Sequence, residues 1–290
     1  MRQQYSRQAS ALCAAFQHMA TRTWHRIYNN HNTPISIRED GITALNLQDL
    51  YNFQSQEFSV VDFSPHVESS TTGADWEWWF MQPGRYFGAA VQAKALTVSQ
   101  SYDIAYVPTN GYPQIRRLLD YSINSGVAPM YCFYNWWQIP PTQHWPCGSF
   151  VEQEDLWGCA LADGLQVWKL HRQNRHTLVD LHKYTMPWHC IVCCSGHVVG
   201  GPEGPSTRAF GISRVLRSQQ PLDEHTGQAD EPDVYAQFPE PQIVQELPER
   251  IAVLRRYVHS HETIGRDMIL KLFGKTPPAK VVLIGNPEKE

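Results

Sequence analysis

The sequence lacks any apolar run long enough to cross a membrane. Its uninterrupted apolar stretches are short, such as residues 190–194 and 281–284, whereas a membrane-spanning helix needs roughly 20 apolar residues. Residues 1–5 lead into an amphipathic segment that lacks the apolar core and the small-residue cleavage site of an export signal. We therefore expect a soluble protein with no membrane partner and, by default, a cytoplasmic location.

The sequence also lacks an excess of basic residues. It has 24 Lys and Arg against 28 Asp and Glu, which gives a net charge of -4 and excludes a broadly basic nucleic-acid coat protein. Any contact with nucleic acid must therefore come from a local patch. Between residues 218 and 249 there is no Lys or Arg at all, and prolines interrupt a series of acids. This composition predicts a solvated, acidic, Pro-rich loop over about 218–249.

The seven cysteines are odd in number and lie mostly in apolar or aromatic stretches. This usage favours reduced, buried thiols over a disulfide framework. Cys190 and Cys193, flanked by His189 and His197, have a spacing that also raises the hypothesis of structural zinc. However, the apolar run at 190–194 predicts a strand, whose alternation would send the two cysteines to opposite faces. Buried thiols are therefore favoured over Zn²⁺, and a zinc-stabilised interaction module stays as an alternative.

The hydrophobic pattern predicts an α/β protein with a mixed, α+β type of sheet. Periodic apolar residues predict an N-terminal helix over 5–30, a second helix opened by residues 39–41 and a third over 114–125 that ends before Gly126. Strands are predicted at 58–63, at 129–135 and in a hairpin over 75–96. Later segments with a helical or strand pattern are helices at about 156–170, 177–184, 250–258 and 264–273, and strands at 190–194 and 280–284.

The hairpin brings three polar side chains together. A turn centred on Pro83 and Gly84 places Asp75 opposite Gln92, and Lys94 follows Gln92 on the same face of its strand. A lysine in this apolar strand is costly to bury unless a carboxylate compensates it. A carboxylate, an amide and a lysine around one point can hold a hard cation and position a water for attack on phosphorus. The alternative is a structural Asp–Lys pair without catalysis.

These residues resemble a known family. The segments Gly73-Ala74-Asp75 and Val91-Gln92-Ala93-Lys94 resemble the core of the PD-(D/E)xK nuclease superfamily, specifically its Mrr-like branch, in which glutamine replaces the second acid. The resemblance covers about residues 35–135, whose predicted elements follow the family's α-β-β-β-α-β order. It implies a restriction-endonuclease-like core over 35–150, after an N-terminal helix (1–34) and before a C-terminal extension of mixed helices and strands (151–290).

The resemblance also implies a role for each site residue. Asp75 would be a ligand of Mg²⁺, with Mn²⁺ as a substitute, and Gln92 would add an oxygen to the cation or its water shell. Lys94 would orient and help deprotonate the attacking water. The family's helical acid, a further catalytic and metal-binding group, would be Glu39, with Asp40 as its rival. Additional candidates are Glu68, Glu77 and Gln114 for the site, and Arg116 and Arg117 for DNA phosphates.

The function implied by the resemblance is that of a Mg²⁺-dependent deoxyribonuclease. Such nucleases in bacteria often act in defence against phage or foreign DNA, so an antiviral effector role is implied as well. DNA would be the partner, and a homo-oligomer or an activating partner or signal would fit a net-negative nuclease with an acidic loop. The alternative from another class is a catalytically silent nuclease-fold protein that binds nucleic acid or a protein partner.

Overall fold

The computed structural model describes residues 11–53, 58–63, 72–108, 111–141, 153–194, 202–219, 238–260, 264–274 and 277–285. In these ranges the strands are β1 (Phe58–Asp62), β2 (Trp76–Gln82), β3 (Arg85–Ala95), β4 (Ala128–Tyr134), β5 (Cys159–Asp163), β6 (Met186–Pro187) and β7 (Lys280–Ile284). The helices are α1 (Ala11–Asn32), α2 (Glu39–Phe53), α3 (Gln114–Ser125), α4 (Gly164–Arg172), α5 (Leu178–His182), α6 (Cys190–Cys193), α7 (Pro205–Ser218), α8 (Glu249–Ser260) and α9 (Arg266–Phe273), with a 3-10 helix at Glu154–Gly158. None of the described helices combines the length and the apolar character that a membrane span requires.

A seven-stranded mixed sheet, in the order β1-β7-β2-β3-β4-β5-β6, forms the centre of the described chain. β2 and β3 form an antiparallel hairpin, whereas β4 is parallel to β3 and β7 is parallel to β2. The predicted mixed α/β class is therefore confirmed. The elements from α2 to β4 also follow the order expected for residues 35–135.

The hairpin has the predicted register. Gln82 pairs with Arg85 and Trp76 pairs with Val91, so Asp75 lies just before the first strand, opposite Gln92. Every residue of β2 is buried, as expected for a strand that is covered on both faces. Trp78 packs against Phe16 of α1, whereas the guanidinium of Arg250 in α8 lies 5.7 Å from the ring of Trp79.

The sheet takes strands from both sides of residue 150. β5 is antiparallel to β4, and β7, the last described strand of the chain, lies between β1 and β2. The region predicted as a C-terminal extension therefore shares one sheet with the region predicted as the nuclease core. Of the predicted acidic loop, residues 220–237 lie outside the described residues, and Val244 forms a bridge to Tyr86.

Two local predictions about the second half are wrong. The segment predicted as a strand at 190–194 is the short helix α6, in which the backbone N–H of Cys193 donates to the carbonyl of His189. A run this short and apolar does not distinguish a strand from a buried helix by periodicity. The helix predicted over 156–170 is divided into the 3-10 helix, β5 and α4, because β5 completes the sheet beside β4.

The prediction of reduced thiols is wrong for one pair of cysteines. Cys13 of α1 and Cys193 of α6 form a disulfide, with their Cα atoms 5.1 Å apart. The helical turn of α6 makes this possible because it directs Cys193 toward α1. The other described cysteines, Cys132, Cys159, Cys190 and Cys194, are buried. Cys147 and His197 lie outside the described residues.

Candidate active site

Asp75 lies immediately before β2, where the hairpin continues for one more backbone hydrogen bond. Its N–H donates to the carbonyl of Val91 at 2.8 Å. Its carboxylate oxygen Oδ2 accepts hydrogen bonds from Gln92 Nε2 at 2.6 Å and from the N–H of Ala93 at 2.7 Å. The predicted contact between Asp75 and Gln92 is therefore present.

Gly73 lets the chain pass close to the start of α3. A Cβ at this position would lie 2.5 Å from the carbonyl oxygen of Gln114, and the residue has a φ of +71°. Both facts require glycine. The close approach places Gly73, two residues before Asp75, beside the first turn of α3.

Lys94 is the buried cation of the site. Its side chain is 5% exposed, and its Nζ donates to Gln114 Oε1 at 2.8 Å and to Glu39 Oε1 at 3.3 Å. Glu39 begins α2, and its second carboxylate oxygen accepts a hydrogen bond from the N–H of Ala95 at 3.3 Å. The direct carboxylate partner of Lys94 is therefore Glu39, while Asp75 acts on Lys94 through space.

The electrostatics of the site leave Asp75 short of positive charge. Burial raises the pKa of Asp75 to about 7, the hydrogen bond from Ala93 opposes this shift, the carboxylate of Glu39 adds to it and Lys94 opposes it. Burial also raises the pKa of Tyr131 well above its usual range, and Asp75 and Glu39 add to that shift. Asp75 and Glu39 thus both act on the charge of Lys94, which is buried, whereas the Glu39 side chain is 36% exposed.

Two buried polar atoms of the site have no hydrogen-bond partner within the described residues. They are the side-chain oxygen Oε1 of Gln92 and the hydroxyl of Tyr131. Gln92 and Tyr131 are paired in register on the parallel strands β3 and β4. Tyr131 is not among the residues predicted from the sequence, because its strand is a continuous apolar and aromatic run and the pairing of β4 with β3 is not a local property. The register of β4 against β3 is the signal that identifies it.

Several other candidates do not join this group. Asp40 has a side chain that is 71% exposed and pairs with Arg38 at 3.6 Å. Glu77 is fully buried and contacts the indole of Trp79, the hydroxyl of Tyr121 and the guanidinium of Arg250.

The two arginine candidates differ from each other. Arg117 is buried, and its Nε donates to the carbonyl of Tyr112 at 3.2 Å. The guanidinium of Arg116 lies 5.2 Å from the ring centre of Trp168. Glu68 lies outside the described residues. The structure thus brings together Asp75, Gln92, Lys94, Glu39, Gln114 and Tyr131.

A family model matches residues 12–286, which is nearly the whole chain and includes every residue of this group. The chain belongs to the DUF6615 family. That family is described as one of unknown function. A search of curated proteins gives no match. The DUF6615 match includes residues on both sides of residue 150, and so does the central sheet.

The donors of this DUF6615 site are hard oxygen atoms. Asp75 and Glu39 supply carboxylates and Gln92 supplies an amide oxygen, and these are the ligands that Mg²⁺ prefers. Across the described part of the chain, no three side chains of His, Cys, Asp or Glu come together so as to hold a metal ion. A cation here would therefore depend on the amide oxygen of Gln92 and on water in addition to the two carboxylates. The unpartnered Oε1 of Gln92 fits that requirement.

Proposed function

We propose that this member of the DUF6615 family is a metal-dependent nuclease that hydrolyses phosphodiester bonds of DNA. The single observation that carries the proposal is the meeting of Asp75, Gln92 and Lys94 at the end of one buried hairpin. Glu39 and Gln114 reach the same point from the starts of two helices and hold the ammonium of Lys94. The resemblance of this hairpin to the Mrr-like nucleases supports the same reaction.

Asp75, Glu39 and Gln92 would hold the cation, with Mg²⁺ as the first choice and Mn²⁺ as a substitute. Bound Mg²⁺ supplies charge stabilisation to a reacting phosphodiester and lowers the pKa of a water nucleophile. The raised pKa of Asp75 supports this role. A bound cation would add a positive charge to that of Lys94 and would favour the ionised form of Asp75.

Lys94 would act on the phosphodiester through its ammonium. An ammonium has three N–H donors, and two of them are directed to Gln114 and Glu39. The third would orient the attacking water or contact a phosphate oxygen. Gln114 and Glu39 fix the direction of that third donor, so they are positioning residues for Lys94.

The proposal also includes a contact to DNA and a cellular role. Arg116, in the first turn of the helix that Gln114 begins, is proposed to contact DNA phosphates. Arg117 is not proposed for this role, because it is buried and donates to a backbone carbonyl. A cytoplasmic defence effector, whose basal cleavage an activating partner or signal would increase, is the role that the resemblance supports.

The test is cleavage of plasmid DNA by the purified protein with Mg²⁺ and with EDTA. Cleavage is expected with Mg²⁺ alone, and Lys94→Ala should reduce its rate about 10²–10⁴-fold, the range for loss of an acid–base group. Asp75→Asn should be comparably impaired and partly rescued by Mn²⁺. The matched control is Asp40→Asn, since Asp40 is a nearby but exposed acid that should be dispensable.

Circular dichroism and melting temperatures separate loss of chemistry from loss of fold. Folded Asp75→Asn and Lys94→Ala variants that cut at the parent rate would remove the hairpin from the active site. A wild-type protein that cuts neither DNA nor RNA with Mg²⁺ or Mn²⁺ would overturn the proposed activity.

A further inference from the structure

We propose that Tyr131 is a positioning residue of the cation site, and that its hydroxyl holds a water of the cation's hydration shell beside Gln92. This inference rests on the proposed function, because it concerns the same cation. It adds a residue that neither the sequence motif nor the family resemblance assigns to the site. Mg²⁺ retains several waters when proteins bind it, so groups that hold those waters contribute to its affinity.

The first argument is the unmet hydrogen-bonding capacity of Tyr131. Its side chain is fully buried, yet its hydroxyl has no partner in the described parts of the chain. Buried hydroxyls are rarely left in this state, because they lose their hydrogen bonds to water on burial. Oε1 of Gln92 is in the same state. Two such atoms on neighbouring strands, paired in register on one face, indicate that a polar species binds between them.

The second argument is that this fold satisfies other buried tyrosines. The hydroxyl of Tyr102 donates to Asn135 Oδ1 at 2.5 Å, and the hydroxyls of Tyr134 and Thr43 are 2.8 Å apart. Tyr131 therefore differs from Tyr102 and Tyr134, whose hydroxyls have hydrogen-bond partners within the protein.

The third argument comes from the neighbouring position on the same strand. Phe133 lies two residues after Tyr131, its ring stacks on that of Tyr131 with centres 5.7 Å apart, and it is paired in register with Lys94. Packing beside the site thus needs an aromatic ring but no hydroxyl at position 133. Packing also accounts for the ring of Tyr131. It does not account for the hydroxyl, which we assign to contact with a ligand.

Charge identifies that ligand. Asp75 and Glu39 both act electrostatically on Tyr131, so the hydroxyl lies within the field of the two carboxylates that would hold the cation. A water between Tyr131 and a cation can accept a hydrogen bond from the hydroxyl or donate one to it. Replacing such an outer partner typically weakens metal binding about 10–100-fold.

The experiment measures binding of Mg²⁺ alone by calorimetry and by the shift in melting temperature, without DNA. Tyr131→Phe should bind Mg²⁺ about 10–100-fold more weakly and should keep its melting temperature in EDTA, since the hydroxyl has no protein partner to lose. The matched control is Tyr102→Phe, which leaves Asn135 without its donor. That variant should melt at a lower temperature in EDTA and bind Mg²⁺ as the wild type does.

The outcomes separate this inference from the proposed function. Tyr131→Phe with wild-type Mg²⁺ affinity would overturn the inference, while Mg²⁺-dependent cleavage by the same variant would leave the function standing. A lowered melting temperature in EDTA with unchanged Mg²⁺ affinity would also overturn it, because the hydroxyl would then hold a structural water. A wild-type protein that binds no Mg²⁺ would overturn both. Recovery of Tyr131→Phe cleavage at raised Mg²⁺ concentration would support the inference by a second readout.

Discussion

Asp75 and Glu77 are carboxylates two residues apart in the sequence, the first half-buried and the second fully buried, with opposite surroundings. Glu77 contacts the guanidinium of Arg250, the indole of Trp79 and the hydroxyl of Tyr121. Asp75 is bonded to the amide of Gln92 and to one backbone N–H, and burial raises its pKa to about 7. The two carboxylates therefore differ in more than their degree of burial. The distinction lies in whether a protein cation already compensates the carboxylate's charge.

The largest effect that this comparison predicts is on stability. Glu77→Gln should lower the free energy of unfolding by about 3–5 kcal/mol, because it leaves the buried guanidinium of Arg250 without its counter-charge. The remaining folded protein should cleave DNA at the wild-type rate. Urea unfolding measures the first quantity and Mg²⁺-dependent cleavage the second. Glu249→Gln, in the exposed residue next to Arg250, is the control and should cost less than about 1 kcal/mol. Equal losses in the two variants would contradict the structural role of Glu77.

Gln92→Glu sharpens the comparison by adding a third carboxylate beside Asp75. Without a divalent cation, the variant should lose about 1–3 kcal/mol of stability, because the donor to Asp75 is replaced by a negative charge. Mg²⁺ should restore the lost stability, since the new carboxylate would be a ligand of the proposed cation. Melting curves in EDTA and in Mg²⁺ measure the difference between the two states. A loss that Mg²⁺ leaves unchanged would show that position 92 does not face a cation.

Glu39 and Asp40 form the next pair to be compared, because adjacent acids begin the same helix. Glu39→Gln removes the ion pair to Lys94 and one of the two carboxylates proposed to hold the cation. It should therefore slow cleavage by at least about 10–100-fold, the range for loss of an outer partner alone. Asp40→Asn should have no effect on cleavage, since its side chain is exposed. Cleavage rates at saturating Mg²⁺ provide the measurement. Comparable activity of both variants would exclude α2 from the site.

The smallest predicted effect is a pH dependence of stability due to His182, a buried residue to which we assign no function. Its ring lies against Trp137 and Trp157, and burial lowers its pKa to about 4. The unfolded chain, with a pKa of about 6.5, takes up a proton as the pH falls below that value while the folded chain does not. Stability is therefore lost on acidification, by about 1 kcal/mol between pH 7.5 and 5.5. Urea unfolding of His182→Phe and of the wild type at both pH values measures the part of the stability loss that is due to His182. This part should be absent in the variant.

Local patterns predicted the part of the fold that holds Asp75, Gln92 and Lys94. The hairpin register follows from a turn and from strand alternation, both of which act over a few residues. The bounds of α3 follow from its apolar period and from Gly126, which ends the helix in the left-handed conformation with a φ of 66°.

What the sequence did not predict depends on contacts between distant segments. β7 pairs with β1 and β2 across about two hundred residues, and Cys13 and Cys193 are 180 residues apart. Tyr131 became a candidate through the pairing of β4 with β3. The choice between Asp75 and Glu39 as the partner of Lys94 also depended on the position of α2. None of these contacts leaves a periodic signal in its own segment.

The position of β7 between β1 and β2 has a consequence during synthesis of the chain. Chains are synthesised from the N-terminus at about 5–20 residues per second, so β1 and β2 leave the ribosome well before the strand that separates them. Until residues 280–284 arrive, the tryptophan-rich strand β2 has an open edge of the kind that promotes aggregation. We expect nascent chains of this protein to need protection by chaperones during that interval.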